Sequence, residues 1–143
     1  MKTFNTTAVC IPSKHYMVDL SEKIREIKQL VDEGKYFVIN RARQYGKTTT
    51  LVTLCQKLRD EYVVIHLSFE SIGYAGFANE CSFVKEFCRL LKREFRTIDI
   101  SSDIKDKING LFYHIETDLT LGDLFDVMLD WCDSSTKKVV LII

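Results

Sequence analysis

Three short runs of β-forming residues, separated by stretches with helical apolar spacing, constrain this chain more than any other feature. They are residues 36–39 (Tyr36, Phe37, Val38, Ile39), residues 62–69 (Tyr62 to Phe69) and residues 137–143 (Lys137 to Ile143, apolar from Val139). The first and last are continuous apolar runs with no alternating polar residues, the pattern of strands buried on both faces of a parallel sheet. Between them the period changes. From Ser21, which can cap a helix, Ile24, Ile27, Leu30 and Val31 recur at helical spacing, and Gly34 stands where a left-handed residue would end it. Residues 47–59 repeat the pattern through Leu51, Leu54, Cys55 and Leu58, and residues 79–95 through Val84, Phe87, Cys88, Leu91 and Phe95. Another helix is predicted over residues 102–115, weakened by Gly110. Thr120 and Asp123 form a predicted capping box for a last helix, with Leu121, Leu124, Phe125, Met128 and Cys132 on its apolar face. Strands alternating with helices predict parallel pairing and an α/β fold over residues 21–143, after an irregular lead-in (1–20) in which Pro12 rules out a long helix.

Composition narrows the classes. A chain of 143 residues with 46% hydrophobic residues can bury a core, so disorder is not the default. Twenty basic residues balance twenty acidic ones, which removes the usual electrostatic case for a dedicated nucleic-acid binder but leaves room for a local basic patch. The N-terminus lacks an apolar leader, and no stretch approaches the roughly 20 apolar residues that span a bilayer, so no membrane partner is expected. Five cysteines without a C-x-x-C pair, and no leader, point to reduced thiols and a cytoplasmic chain. His15, His66 and His114 do not stand at zinc-ligand spacing from a cysteine pair.

The candidate site is Arg41-Ala42-Arg43-Gln44-Tyr45-Gly46-Lys47-Thr48-Thr49, set between the first predicted strand and the second predicted helix. Glycine lets a backbone turn tightly and approach phosphate oxygens, and the free amides and dipole of a helix start favour a polyanion. A lysine there reaches the β- and γ-phosphates, and a following hydroxyl, here that of Thr48, ligates Mg²⁺. The general pattern is G-x-x-x-x-G-K-[ST], and Arg41 occupies the first glycine position. A cation at a helix start is mildly unfavourable without an anion. Arg41 and Arg43 are read either as solvated surface or as further phosphate contacts.

This loop, with Asn40 before it and Thr50-Leu51 after it, resembles the Walker A segment of bacterial AAA-ATPase-like proteins. Their loop reads R-x-R-x-[FY]-G-K-[ST], also without the first glycine. Upstream, His15-Tyr16-Met17-Val18-Asp19 resembles that family's Y-x-V-D segment. The resemblance runs from about Phe4 to Ile143. It implies an AAA-like P-loop NTPase fold, a parallel sheet flanked by helices, with ATP and Mg²⁺ as ligands. It also implies that the third strand is followed by a Walker B aspartate-glutamate pair that holds Mg²⁺ and polarises the attacking water. The chain ends at Ile143, where those carboxylates would come next, so the resemblance implies the N-terminal part of a longer ATPase domain. Such a piece would bind nucleotide weakly and hydrolyse it very poorly. Family members often carry a restriction-endonuclease-like domain, the implied route to nucleic acid, and AAA relatives form rings, which implies a homo-oligomer. In the AAA-like order a later strand lies between the loop strand and the Walker B strand.

Four functional classes stay open: an ATPase module driving another domain, a nucleotide-dependent switch without hydrolysis, a P-loop kinase, and an interaction module. The kinase reading is the weaker for want of an Asp-x-Asp or Arg-rich lid after the second strand. Tyr16 and Asp19 are read as pins for the lead-in or as neighbours of the base. His66 is read as a core or edge residue, and Glu70 as a contact at a strand's C-terminal end. Phe83, Phe87 and Phe95 are core. Lys85, Arg89, Lys92, Arg93 and Arg96 form a basic stripe on one helix, either solvated or contacting DNA or a partner.

Overall fold

The computed structural model describes residues 19–40, 47–115 and 118–143. It is a mixed α/β chain, mostly helical, with one small parallel sheet of two strands. The chain divides into two compact units, Met1–Asp60 and Glu61–Ile143.

The first unit contains α1 (Ser21–Asp32) and α2 (Lys47–Leu58), which pack on each other. Ile24 and Ile27 of α1 and Leu54, Cys55 and Leu58 of α2 are buried, in agreement with their helical spacing. The cap of α1 differs from the sequence expectation. Ser21 is the first helical residue, and its amide donates to the Asp19 carboxylate at 2.9 Å. At the other end Gly34 has φ +68°, its amide donates to the Val31 carbonyl, and the Lys35 amide donates to the Leu30 carbonyl. This paired 6→1 and 5→2 arrangement is a Schellman motif, which needs a residue at positive φ and so favours glycine.

Residues 36–39 do not form the expected buried strand. They have no ladder partner among the described residues, and Tyr36 and Val38 are almost fully exposed. Apolar β-forming composition favours a pleated, half-buried surface, and it becomes a strand only where a neighbour supplies hydrogen bonds.

The second unit is built around α3 (Glu80–Glu94). It is flanked by α4 (Ser102–Phe112) and α5 (Leu121–Ser134), with strands β1 (Val63–His66) and β2 (Val139–Ile142). The strands pair in parallel, Val63 opposite Val139 through His66 opposite Ile142. Parallel strands need a long crossover, and here the three helices provide it. Both strands are shorter than the apolar runs that announce them. Val84, Cys88 and Leu91 of α3, Ile65 of β1, Ile104 and Ile108 of α4 and Leu124 of α5 are the centre of the core. Asn79 caps α3 by accepting from the Ser82 amide at 2.8 Å, and Ser101 caps α4. Two 3₁₀ turns, Phe69–Ser71 and Tyr74–Phe77, follow β1 and are pinned to α3 by aromatic contacts of Phe69 and Phe77 with Phe83. A Cβ at Gly76 would lie 2.6 Å from an Ile72 methyl and 2.9 Å from Glu86 Cγ, so only glycine fits between turn and helix.

The capping box of α5 forms as predicted: the Thr120 amide donates to the Asp123 carboxylate at 2.8 Å and the Asp123 amide to the Thr120 hydroxyl at 3.4 Å. The apolar face of this helix is rotated from the expected one. Leu124 and Trp131 are buried, and Leu121, Val127 and Met128 are packed beside them. Trp131 meets Phe95 edge to face, with ring centroids 5.5 Å apart. Phe125 is 58% exposed and Cys132 is exposed as well. At 100° per residue both lie one step beyond the arc that α3 and α4 cover, and the large indole sets the rotation.

Two outcomes follow for stability. Trp131→Ala should destabilise the fold by roughly 3–5 kcal/mol, whereas Phe125→Ala should stay within about 0.5 kcal/mol, as read from chemical denaturation. The reverse order would place the core on the other face of α5. The hydrogen bonds from Thr120 hold the Asp123 carboxyl below its ordinary value of 3.8. A carboxyl depressed in the folded state stabilises above the unfolded pKa, and that contribution is lost as the pH falls through the folded one. The wild-type protein should therefore lose stability on acidification below about pH 4 more steeply than Asp123→Asn, compared by thermal melts from pH 6 downward.

Candidate functional site

The predicted loop lies mostly outside the described residues: Arg41, Ala42, Arg43, Gln44, Tyr45 and Gly46 have no described placement. Its last three members form the first turn of α2. Lys47 and Thr48 are exposed there, while Thr49 is buried and its carbonyl accepts from the Thr53 hydroxyl at 2.9 Å. That turn contains no acidic residue, so no carboxylate of its own neutralises the helix start.

The other candidates are dispersed. Asp19 caps α1, and its bonds from Ser21, side chain and then amide, hold its carboxyl below the ordinary range. Tyr16 lies outside the described residues. His66 is half-buried at the end of β1, opposite Ile142. Glu70 is exposed in the first 3₁₀ turn, its amide 3.4 Å from the Ser68 hydroxyl. Among the described residues no group of three or more His, Cys, Asp or Glu is arranged to hold a metal ion. No helix among them is long and apolar enough to cross a membrane.

Two of the described thiols are poorly suited to nucleophilic chemistry. Burial pushes the Cys88 thiol up to about 12, against the opposing pull of the Lys92 ammonium. Cys132 is also raised, by partial burial first and then by the Asp133 charge. A thiol with a raised pKa carries little thiolate and reacts slowly.

The basic stripe on α3 is organised by contacts that local sequence does not reveal. Arg89 pairs with Glu86 at 2.7 Å and reaches the Ser71 hydroxyl at 3.4 Å. Lys92 lies 4.1 Å from the centre of the Phe112 ring and 4.4 Å from that of Tyr113, and its ammonium donates to the Tyr113 hydroxyl at 3.4 Å. Helical spacing indicates the stripe but says nothing of Tyr113, which arrives from the far end of α4. The end of that helix at Phe112, short of the predicted residue 115, lets Tyr113 turn back toward Lys92.

No protein family, no curated protein and no solved structure matches the chain.

The burial pattern predicts a thiol-labelling result. In native Cys10→Ser protein one thiol, that of Cys132, should react with a soluble disulfide reagent, and Cys55, Cys81 and Cys88 only after unfolding. Rapid native labelling of two or more thiols would contradict this packing.

Proposed function

We propose that this chain binds Mg²⁺-ATP through a phosphate-binding loop formed by Arg41, Ala42, Arg43, Gln44, Tyr45, Gly46, Lys47, Thr48 and Thr49. The observation that carries the reading is the start of α2. A helix begins at Lys47, where the loop pattern demands one, and it presents Lys47 and Thr48 to solvent with no acidic residue in its first turn. The helix dipole and the exposed Lys47 ammonium favour a polyphosphate at that point. Lys47 would neutralise the β- and γ-phosphate oxygens, and the Thr48 hydroxyl would ligate the metal.

The resemblance extends this to an AAA-like P-loop NTPase domain of a cytoplasmic protein, with hydrolysis coupled to work elsewhere in the full-length protein. The pairing of β1 with β2 is compatible with it, although residues 36–39 do not form the loop strand it calls for. β2 pairs with β1 along one edge and with no other strand among the described residues. The AAA-like order calls for a further strand beside the last one. Nucleotide-dependent switching without hydrolysis is the alternative, and an Asp-Glu pair following β2 in the full-length protein would decide for hydrolysis.

Calorimetric titration of Mg²⁺-ATP into the wild-type chain should give a saturable heat. Lys47→Ala should weaken binding at least tenfold, or about 1.4 kcal/mol. Thr48→Ala should weaken Mg²⁺-ATP binding more than binding of ATP in excess chelator. Absence of binding by a folded chain, or equal binding by Lys47→Ala, overturns the reading.

A further inference from the structure

We propose that the basic face of α3 is a docking surface for single-stranded nucleic acid, separate from the phosphate-binding loop. Lys85, Arg89, Lys92 and Arg96 recur at intervals of four, three and four residues, so they fall on one line along the helix, with Arg93 beside it. The line covers about 12 Å of helix from Lys85 to Arg93 at about 1.5 Å per residue, and Arg96 lengthens it past the end. That length suits several successive backbone phosphates.

The cations fall into two kinds. Arg89 and Lys92 are held in place, the first by Glu86 and Ser71, the second between the rings of Phe112 and Tyr113. Lys85, Arg93 and Arg96 form no ion pair among the described residues, and Arg93 and Arg96 are exposed to solvent. A stripe needed only for stability would be expected to use its charges in pairs with neighbouring helices, as Lys107 of α4 does with Asp103 and with Asp130 of α5.

One aromatic side chain meets the stripe, and a second stands on the turn packed against α3. Tyr113 is 68% exposed next to Lys92. The turn that approaches Glu86 through Gly76 carries Tyr74, 95% exposed. A line of cations with exposed rings at its margins combines backbone neutralisation with stacking platforms, the combination that single strands use. Charge complementarity selects a polyanion, and the exposed rings favour unpaired bases over a duplex, whose bases are already stacked.

The test is fluorescence anisotropy of a labelled oligothymidylate of about 20 nucleotides, longer than the roughly 4–16 that one compact module covers. It uses the full chain from about 50 to 200 mM salt. Arg93→Ala with Arg96→Ala should weaken binding at least tenfold and flatten the slope of log K against log salt by about 0.7 for each phosphate no longer neutralised. Tyr113→Ala should weaken binding several-fold with the salt slope unchanged, the mark of stacking. Both variants should melt within a few degrees of the wild type. The proposal is overturned by no binding at low salt, by binding that Lys47→Ala abolishes and the α3 variants do not, or by preference for a duplex. It is also overturned if polyglutamate of equal charge displaces the oligonucleotide, which would assign the face to an acidic protein.

Discussion

The burial of one face of α3 holds the Glu61–Ile143 unit together. Val84, Cys88 and Leu91 are shut off from solvent, and the same helix meets β1, α4, α5 and the second 3₁₀ turn. The sheet could not take that part. Two parallel strands of four residues contribute few hydrogen bonds, and small isolated sheets are marginal in water. Closing the chain between residues 63 and 139 costs loop entropy, and the apolar surface buried by the helices in the crossover offsets it. The strand pairing is thus a consequence of helix packing.

The opposite face of α3 shows how much a single amphipathic helix can specify. Its cations could have remained solvated, as most exposed lysines and arginines do. Instead Lys92 is clasped by two rings at the end of α4, which ties α3 and α4 together at their surface while keeping the charge near solvent. The lysine's pull on the Cys88 thiol is smaller than the effect of burial, so that sulfur behaves as a small apolar group. Packing and charge are largely segregated by face.

The nucleotide reading depends on chemistry of a more local kind. A helix start needs anions or caps, and α2 begins with Lys47 and a run of threonines and no carboxylate. The Met1–Asp60 unit thus holds a helix pair, α1 on α2, whose second helix starts on an exposed lysine. The Schellman motif at Gly34 sets where the chain leaves α1 toward that helix.

Much of the fold was legible from local rules. Helix ends that depend on one glycine or one capping box, Gly34 and the Thr120–Asp123 pair, were readable because their hydrogen bonds close within a few residues. The buried faces of α2 and α3 were readable from period alone. Of the candidate residues 41–49, the last three do begin a helix, and residues 41–46 are not among those described. What the sequence by itself determined is therefore the approximate helices, the Gly34 end of α1, the Thr120–Asp123 box and the mixed α/β class. Tertiary structure alone decided that Val63–His66 pairs with Val139–Ile142 while residues 36–39 do not form a strand. It also turned Trp131 inward with Phe125 outward, and brought Tyr113 to Lys92. Each of these depends on partners distant in sequence, and a strand, a rotated helix face or a cation against a ring has no energy until that partner is in place.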